Sequence, residues 1–175
     1  MATAKASSSK APPAKVPPAK IDAALLKAMC QAFADGALPG ESEGFGKNAC
    51  DQAAQFMVTS ALVRKPGAPL VALDSFTDEQ GRLAMRIAIN NDDMPFLVDS
   101  VSAAVASYGV PVQRLIHPVL DTERDNSGVL TTISAKRGSI GKRESFIYLE
   151  TGRVDAKAPY NHSRLENAQH PHGPR

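Results

Sequence analysis

An α+β sandwich, with helices on one face of a mixed sheet, is the fold that this sequence predicts. Three observations carry the prediction. Apolar residues recur at three- and four-residue intervals between Ala24 and Leu62, the period of an amphipathic helix. From Arg82 to Asn90 the period changes to alternation, with Leu83, Met85, Ile87 and Ile89 separated by Arg82, Ala84, Arg86 and Ala88, as in a half-buried strand. Beyond that strand a helical stretch and another strand follow through short loops, forming a βαβ unit whose strands should run parallel with a right-handed crossover.

The elements can be justified in order. Asp22 is placed to cap a helix carrying Ala24, Leu25, Met29, Ala32 and Phe33 on one face, with Gly36 closing it. A loop from Ala37 to Gly46 leads to a second helix, Lys47 to Arg64, whose face holds Cys50, Ala53, Ala54, Met57, Val58, Ala61 and Leu62. Pro66-Gly67 ends it. Leu70 to Phe76 and Arg82 to Asn90 read as a hairpin around the turn Asp78-Glu79-Gln80-Gly81.

A third helix follows, with Leu97, Val101, Ala104, Val105 and Tyr108 on its apolar face and Gly109 where a left-handed residue is wanted. Asp93 is its expected N-cap, and Pro95 is tolerated in a first turn. Pro95, Leu97, Val101 and Gly109 are expected to shape the core and the corner. Strands are expected over Val112 to Leu120, Val129 to Ala135 and Ser145 to Glu150, with Asp125-Asn126-Ser127-Gly128 as a turn.

The two ends break the pattern. Residues 1–20 hold four Lys, four Pro and no acid, too little apolar surface to offset the entropy of ordering, so this Lys/Ala/Pro-rich tail is expected to be disordered. Residues 151–175, with Pro159, Pro171, Pro174 and three His, show no sustained period and are expected to be unstructured. Between them lie a helical segment, 21–66, and the α+β domain, 70–150. A ferredoxin-like domain wants a further helix after the last strand. Either the first two helices cover the sheet or the domain is incomplete at the C-terminus.

Composition narrows the functional classes. The formal net charge is +2, but the tail alone contributes four positive charges and leaves the remainder acidic. Without a basic face or aromatic stacking platforms, in a chain lacking Trp, nucleic acid is not an expected partner. No apolar stretch approaches the roughly 20 residues of a membrane span, and no signal segment is evident, so a cytoplasmic protein without a membrane partner is expected. Cys30 and Cys50 lack the spacing of a metal or redox motif and read as packed thiols.

Candidate chemistry centres on the acidic corner. Asp92, Asp93 and Asp99 lie near one helix N-terminus. They could cap the helix, hold a divalent cation, or flank amides that receive the carboxylate of a small amino acid. Capping is the simplest of the three. His117 stands alone beside Pro118 and reads as a packed residue, and Gly138-Ser139-Ile140-Gly141-Lys142 lacks P-loop spacing and reads as a hairpin loop. None of the common hydrolase, metalloprotease, redox or dinucleotide motifs occurs, so no catalytic, cofactor-binding or metal residue is expected.

The run Ile89-Asn90-Asn91-Asp92-Asp93-Met94-Pro95-Phe96-Leu97-Val98-Asp99-Ser100-Val101, then Gly109, Leu115-Ile116-His117-Pro118-Val119-Leu120 and Arg143-Glu144-Ser145-Phe146-Ile147-Tyr148-Leu149-Glu150, resembles the N-terminal segment of the large bacterial NAD-specific glutamate dehydrogenases. The resemblance covers roughly Ser75 to Glu150. It implies an ACT-like (ferredoxin-like) regulatory domain at 70–150, part of an enzyme that deaminates L-glutamate to 2-oxoglutarate with NAD. It also implies that the NAD-binding and deaminating residues lie further downstream, so this chain is expected to be non-catalytic and without a cofactor of its own. Such domains often bind amino acids at interfaces and pair their sheets across subunits. An amino-acid effector near Asn91, Asp92 and Asp93, and self-association or contact with the parent enzyme's other domains, are therefore expected. The aperiodic end, where the family continues into a long helix, suggests a truncated or frame-altered chain. The alternative expectation is a free-standing ACT-like module that senses an amino acid.

Overall fold

Asp22 starts the first helix as its spacing requires, its Oδ1 accepting a hydrogen bond from the Ala24 N–H at 2.9 Å. The computed structural model describes residues 21–36, 45–78 and 80–152. The expected tail at 1–20, most of the loop after the first helix and the chain end from 153 onward lie outside the described residues. Within them α1 (Ala23–Gly36) and α2 (Lys47–Ala61) precede β1 (Leu70–Thr77), β2 (Leu83–Asp92), α3 (Leu97–Ser107), β3 (Val112–Ile116), β4 (Val119–Arg124), β5 (Leu130–Ser134) and β6 (Lys142–Gly152). No helix among the described residues is long and apolar enough to cross a membrane.

The six strands form one sheet in the order β1-β2-β6-β4-β5, with β3 also paired to β6. Every pairing is antiparallel, so the sheet is not mixed. The reason is the last strand. β2 and β3 do run parallel, as the βαβ reading requires, but β6 inserts between them and pairs antiparallel with both. The single strand expected over Val112 to Leu120 is two strands. β3 and β4 lie end to end along one side of β6, interrupted at His117-Pro118, and β4 continues to Arg124. Proline has no N–H to give the ladder, and here its carbonyl accepts from the Phe146 N–H.

The sheet's missing cover comes from the N-terminal helices. Leu25, Met29 and Phe33 of α1 and Ala53, Met57 and Val58 of α2 join Ala88, Ile116, Phe146 and Tyr148 of the sheet in one buried cluster. Phe33 and Tyr148 meet with ring centroids 5.5 Å apart. The helical segment therefore shares its core with the strands. The face of β2 that these helices choose is the small one. Ala84, Ala88 and Asn90 are buried, whereas Met85, Ile87 and Ile89 are half-buried and Leu83 is exposed. Alanines on both surfaces let α2 approach the sheet closely, and the larger aliphatics turn to the opposite face.

The corner after β2 departs from expectation. Asp93 does not cap α3; its carboxylate turns instead to Ser145 and Arg143. The N-cap is Phe96, left-handed at φ 61° without a side-chain cap, and Pro95 lies in the turn before it. α3 buries no side chain fully, so Leu97 and Val101 are half-buried rather than core, and Pro95 is exposed. Gly109 acts through its backbone, at φ 68°, with open space where a Cβ would stand.

Candidate functional site

Where α2 stops, the chain does not turn away from the sheet but adds to it. The Leu62 carbonyl accepts from the Leu130 N–H, Val63 bridges Val129, and the Arg64 N–H donates to the Gly128 carbonyl. The expected final residue of the helix, Arg64, thus becomes an extended residue facing inward, 4% exposed. Gly128 makes this approach feasible. Its φ is 82°, and a Cβ there would stand 2.4 Å from the Arg64 carbonyl oxygen.

Arg64 points at Glu144, which is 2% exposed, with Nη2 2.7 Å from Oε1. Arg124 reaches the same carboxylate from the end of β4, where a register shift between Glu123 and Arg124 re-aims the strand. Its Nε and Nη2 bind Oε1 and Oε2 at 2.8 and 2.9 Å, a two-pronged grip. Asn90, fully buried, donates Nδ2 to Oε2 and accepts from Arg124 Nη2. Arg124 Nη1 closes the set on the carbonyls of Ala61 and Gly128, and Arg64 Nη1 on that of Ala68.

Asp92, opposite Glu144 in the β2–β6 register, is the second carboxylate on Arg64. Two guanidiniums thus face two carboxylates. Burial alone would raise the Glu144 pKa, yet hydrogen bonds from Arg124, Arg64 and Asn90 outweigh it and hold the carboxyl down at about 2. This network floors a cleft of about 490 Å³ whose rim includes Glu123, Asp125 and Lys142.

The three residues read as the effector corner separate in the structure. Asp92 lines this cleft, half exposed. Asp93 accepts from the Ser145 hydroxyl at 3.0 Å and lies 3.7 Å from Arg143. Asn91 Nδ2 donates to the Met94 sulfur. Asp99 stays exposed in the first turn of α3. Among the described residues no group of three or more His, Cys, Asp or Glu side chains is placed to hold a metal ion.

The glycine-containing loop after β5 is not a hairpin loop, because β4 lies between β5 and β6. It wraps a carboxylate instead. Asp121 Oδ2 accepts from the Ser139 N–H at 2.9 Å and Oδ1 from Arg143 at 3.2 Å. Burial opposes the Asp121 charge, but the Ser139 amide, Arg143 and the Gly138 and Ile140 amides prevail, so its pKa is lowered. His117, at the break between β3 and β4, has a buried Nε2 without a hydrogen-bond partner among the described residues, and burial lowers its pKa against the pull of Asp93.

Sequence reasoning missed Arg64, Arg124, Glu144 and Asn90 as a set, because they come from four separate segments of chain. Alternation hid the clue: Asn90 shares its face of β2 with Ala84 and Ala88, opposite Leu83, Met85, Ile87 and Ile89, and only the fold shows that this smaller face is the buried one, where an amide demands partners.

The family model for the glutamate dehydrogenase ACT1 domain matches residues 46–167. Comparison with curated proteins and with solved structures returned no match.

Proposed function

Because the chain belongs to the family of the glutamate dehydrogenase ACT1 domain, we propose that it is the regulatory, non-catalytic unit of a cytoplasmic NAD-specific glutamate dehydrogenase. The parent reaction would be oxidative deamination of L-glutamate to 2-oxoglutarate with NAD on other domains. The unit responds to an amino-acid effector taken up beside Asp92, the one of the corner residues Asn91, Asp92 and Asp93 that lines the cleft, and its partners are a second copy or the enzyme's remaining domains.

One observation carries the effector reading. Asp92 is 50% exposed at the mouth of the cleft while its partner Arg64 is 4% exposed on the floor. A zwitterion's ammonium would meet Asp92 there, and its carboxylate would meet Lys142 across the rim. The ligand then competes for the same carboxylate that holds Arg64, which ties the cleft to the junction between α2 and the sheet. The mutual pairing of Arg64, Arg124, Asn90 and Glu144 supports a structural rather than a reactive use of these groups: both Glu144 oxygens are held by guanidinium and amide donors, and Arg64 Nε is the one buried nitrogen of the set without a hydrogen-bond partner among the described residues.

Calorimetric titration of the chain with α-amino acids tests the reading. At least one should bind saturably, and Asp92→Asn should weaken it tenfold or more. An absence of saturable heat with every amino acid would remove the effector. NADH formation by this chain alone from glutamate and NAD would remove the non-catalytic assignment.

A further inference from the structure

Cys30 and Cys50, twenty positions apart, face each other across the α1–α2 contact. Cys30 Sγ lies 4.0 Å from the Cys50 carbonyl oxygen, and Cys50 Sγ lies 3.6 Å from the Cys30 carbonyl oxygen. Each sulfur is thus beside the other residue's backbone, the mutual closeness that a disulfide between them needs. Both are free thiols and both are partly exposed. They line a cleft of about 590 Å³ with Leu26, Phe45 and Lys47 among its walls, which admits a small reagent.

We propose that Cys30 and Cys50 form a reversible dithiol–disulfide site that latches α1 to α2, and that its reagent is a low-molecular-weight disulfide. The roles of the two sulfurs differ. The Cys30 thiol donates to Asp51 Oδ1 at 3.3 Å and so keeps its proton, whereas Cys50 has only a carbonyl acceptor. Burial first, and then Asp51, push the Cys30 thiol up to about 12; burial raises the Cys50 thiol as well, with the neighbouring Cys30 working against that rise.

Cys50 therefore attacks first. Its sulfur loses a proton and bonds to one sulfur of RS–SR; that S–S bond breaks, and RS⁻ leaves and takes a proton as RSH. The Cys30 sulfur then attacks the Cys50 sulfur of the mixed disulfide, its own proton leaving with the second RSH. Two protein thiols are oxidised and one small disulfide is reduced to two thiols, with no net change in protons. A high thiol pKa makes a poor leaving group and a small thiolate fraction. The latch closes slowly and, once closed, resists reduction.

Incubating the full chain with oxidised glutathione at mildly alkaline pH tests this. Intact-mass measurement should show the loss of two hydrogen atoms, and a non-reducing digest should join the peptides of Cys30 and Cys50. The thermal midpoint of the oxidised chain should rise. Cys30→Ser should stop at a glutathione adduct on Cys50. Accumulation of glutathione adducts or of intermolecular dimers on the wild-type chain, or thiols that stay unreacted while it is folded, would overturn the proposal without reference to the variant.

Discussion

Glu144 is the residue on which most of the buried polar structure depends. Its carboxylate accepts from Arg64, Arg124 and Asn90 at once, so replacing it with Gln takes from Arg124 the carboxylate it grips and leaves Arg64 with Asp92 alone. Removing one partner of a buried ion pair costs roughly 3–5 kcal/mol, and Glu144→Gln is expected to lie in that range at neutral pH. The sign of the pH dependence follows from the lowered pKa. A carboxyl held at about 2 when folded and near 4.5 when unfolded stabilises the fold fully above 4.5, and that stabilisation drains away as pH falls toward 2. The amount is on the order of 3 kcal/mol. Denaturant midpoints of wild type and Glu144→Gln should therefore converge between pH 4.5 and 2, and a constant gap over that window would show that Glu144 does not titrate as its partners dictate. His117 acts earlier, since its lowered pKa means that acidification below about 6.5 already favours the unfolded chain, which takes up the proton first.

At the scale of elements, the difference between what could and could not be read from sequence is local versus distant pairing. α1 was legible because Asp22, the apolar stripe and Gly36 all lie within one element, and the β1–β2 hairpin because its turn sets its register. The parallel relation of β2 and β3 was legible from chirality. The insertion of β6 between them was not, because strand order is decided by the later strand's whole inner and outer surface. The acidic corner after β2 shows the same limit. Asp92 and Asp93 are neighbours in sequence, but alternation sends one to Arg64 and the other to Ser145 and Arg143.

α3 is where helical periodicity overstated burial. Leu97 lies on its apolar face yet is half-buried, whereas Leu149 on β6 is fully enclosed. Leu149→Ala should cost roughly 2–5 kcal/mol and Leu97→Ala about half as much or less. Amides of α3 should also exchange with solvent faster than those of β6, as expected of an element with little buried contact. Equal losses of stability and equal protection would mean that α3 is docked as firmly as the central strand.

For the whole molecule the asymmetry of the sheet's two faces decides what remains to be satisfied. On the helical side Ala72, Ala88, Phe146 and Tyr148 are covered by α1 and α2. On the other, Val71 and Leu73 of β1 stand opposite Ile89 and Ile87 of β2, with Leu83 beyond them, and Val71, Leu73 and Leu83 are 57%, 61% and 51% exposed. β1 is also an edge, pairing among the described residues only with β2. Edge strands are ordinarily blunted by charges, Pro or a bulge; Leu70–Thr77 has no Pro and no bulge, and its one charge, Asp74, is paired with Arg86 on the neighbouring strand. An antiparallel meeting of two such edges would satisfy the free backbone groups of both and merge two apolar patches into one. Under the self-association proposed above, sedimentation of the chain should show mass rising with concentration. Leu73→Lys, which puts a charge into the patch without touching the helical face, should return the protein to a single-copy mass with a nearly unchanged melting midpoint. A wild-type chain that stays at single-copy mass at every concentration would sink self-association through the β1 edge.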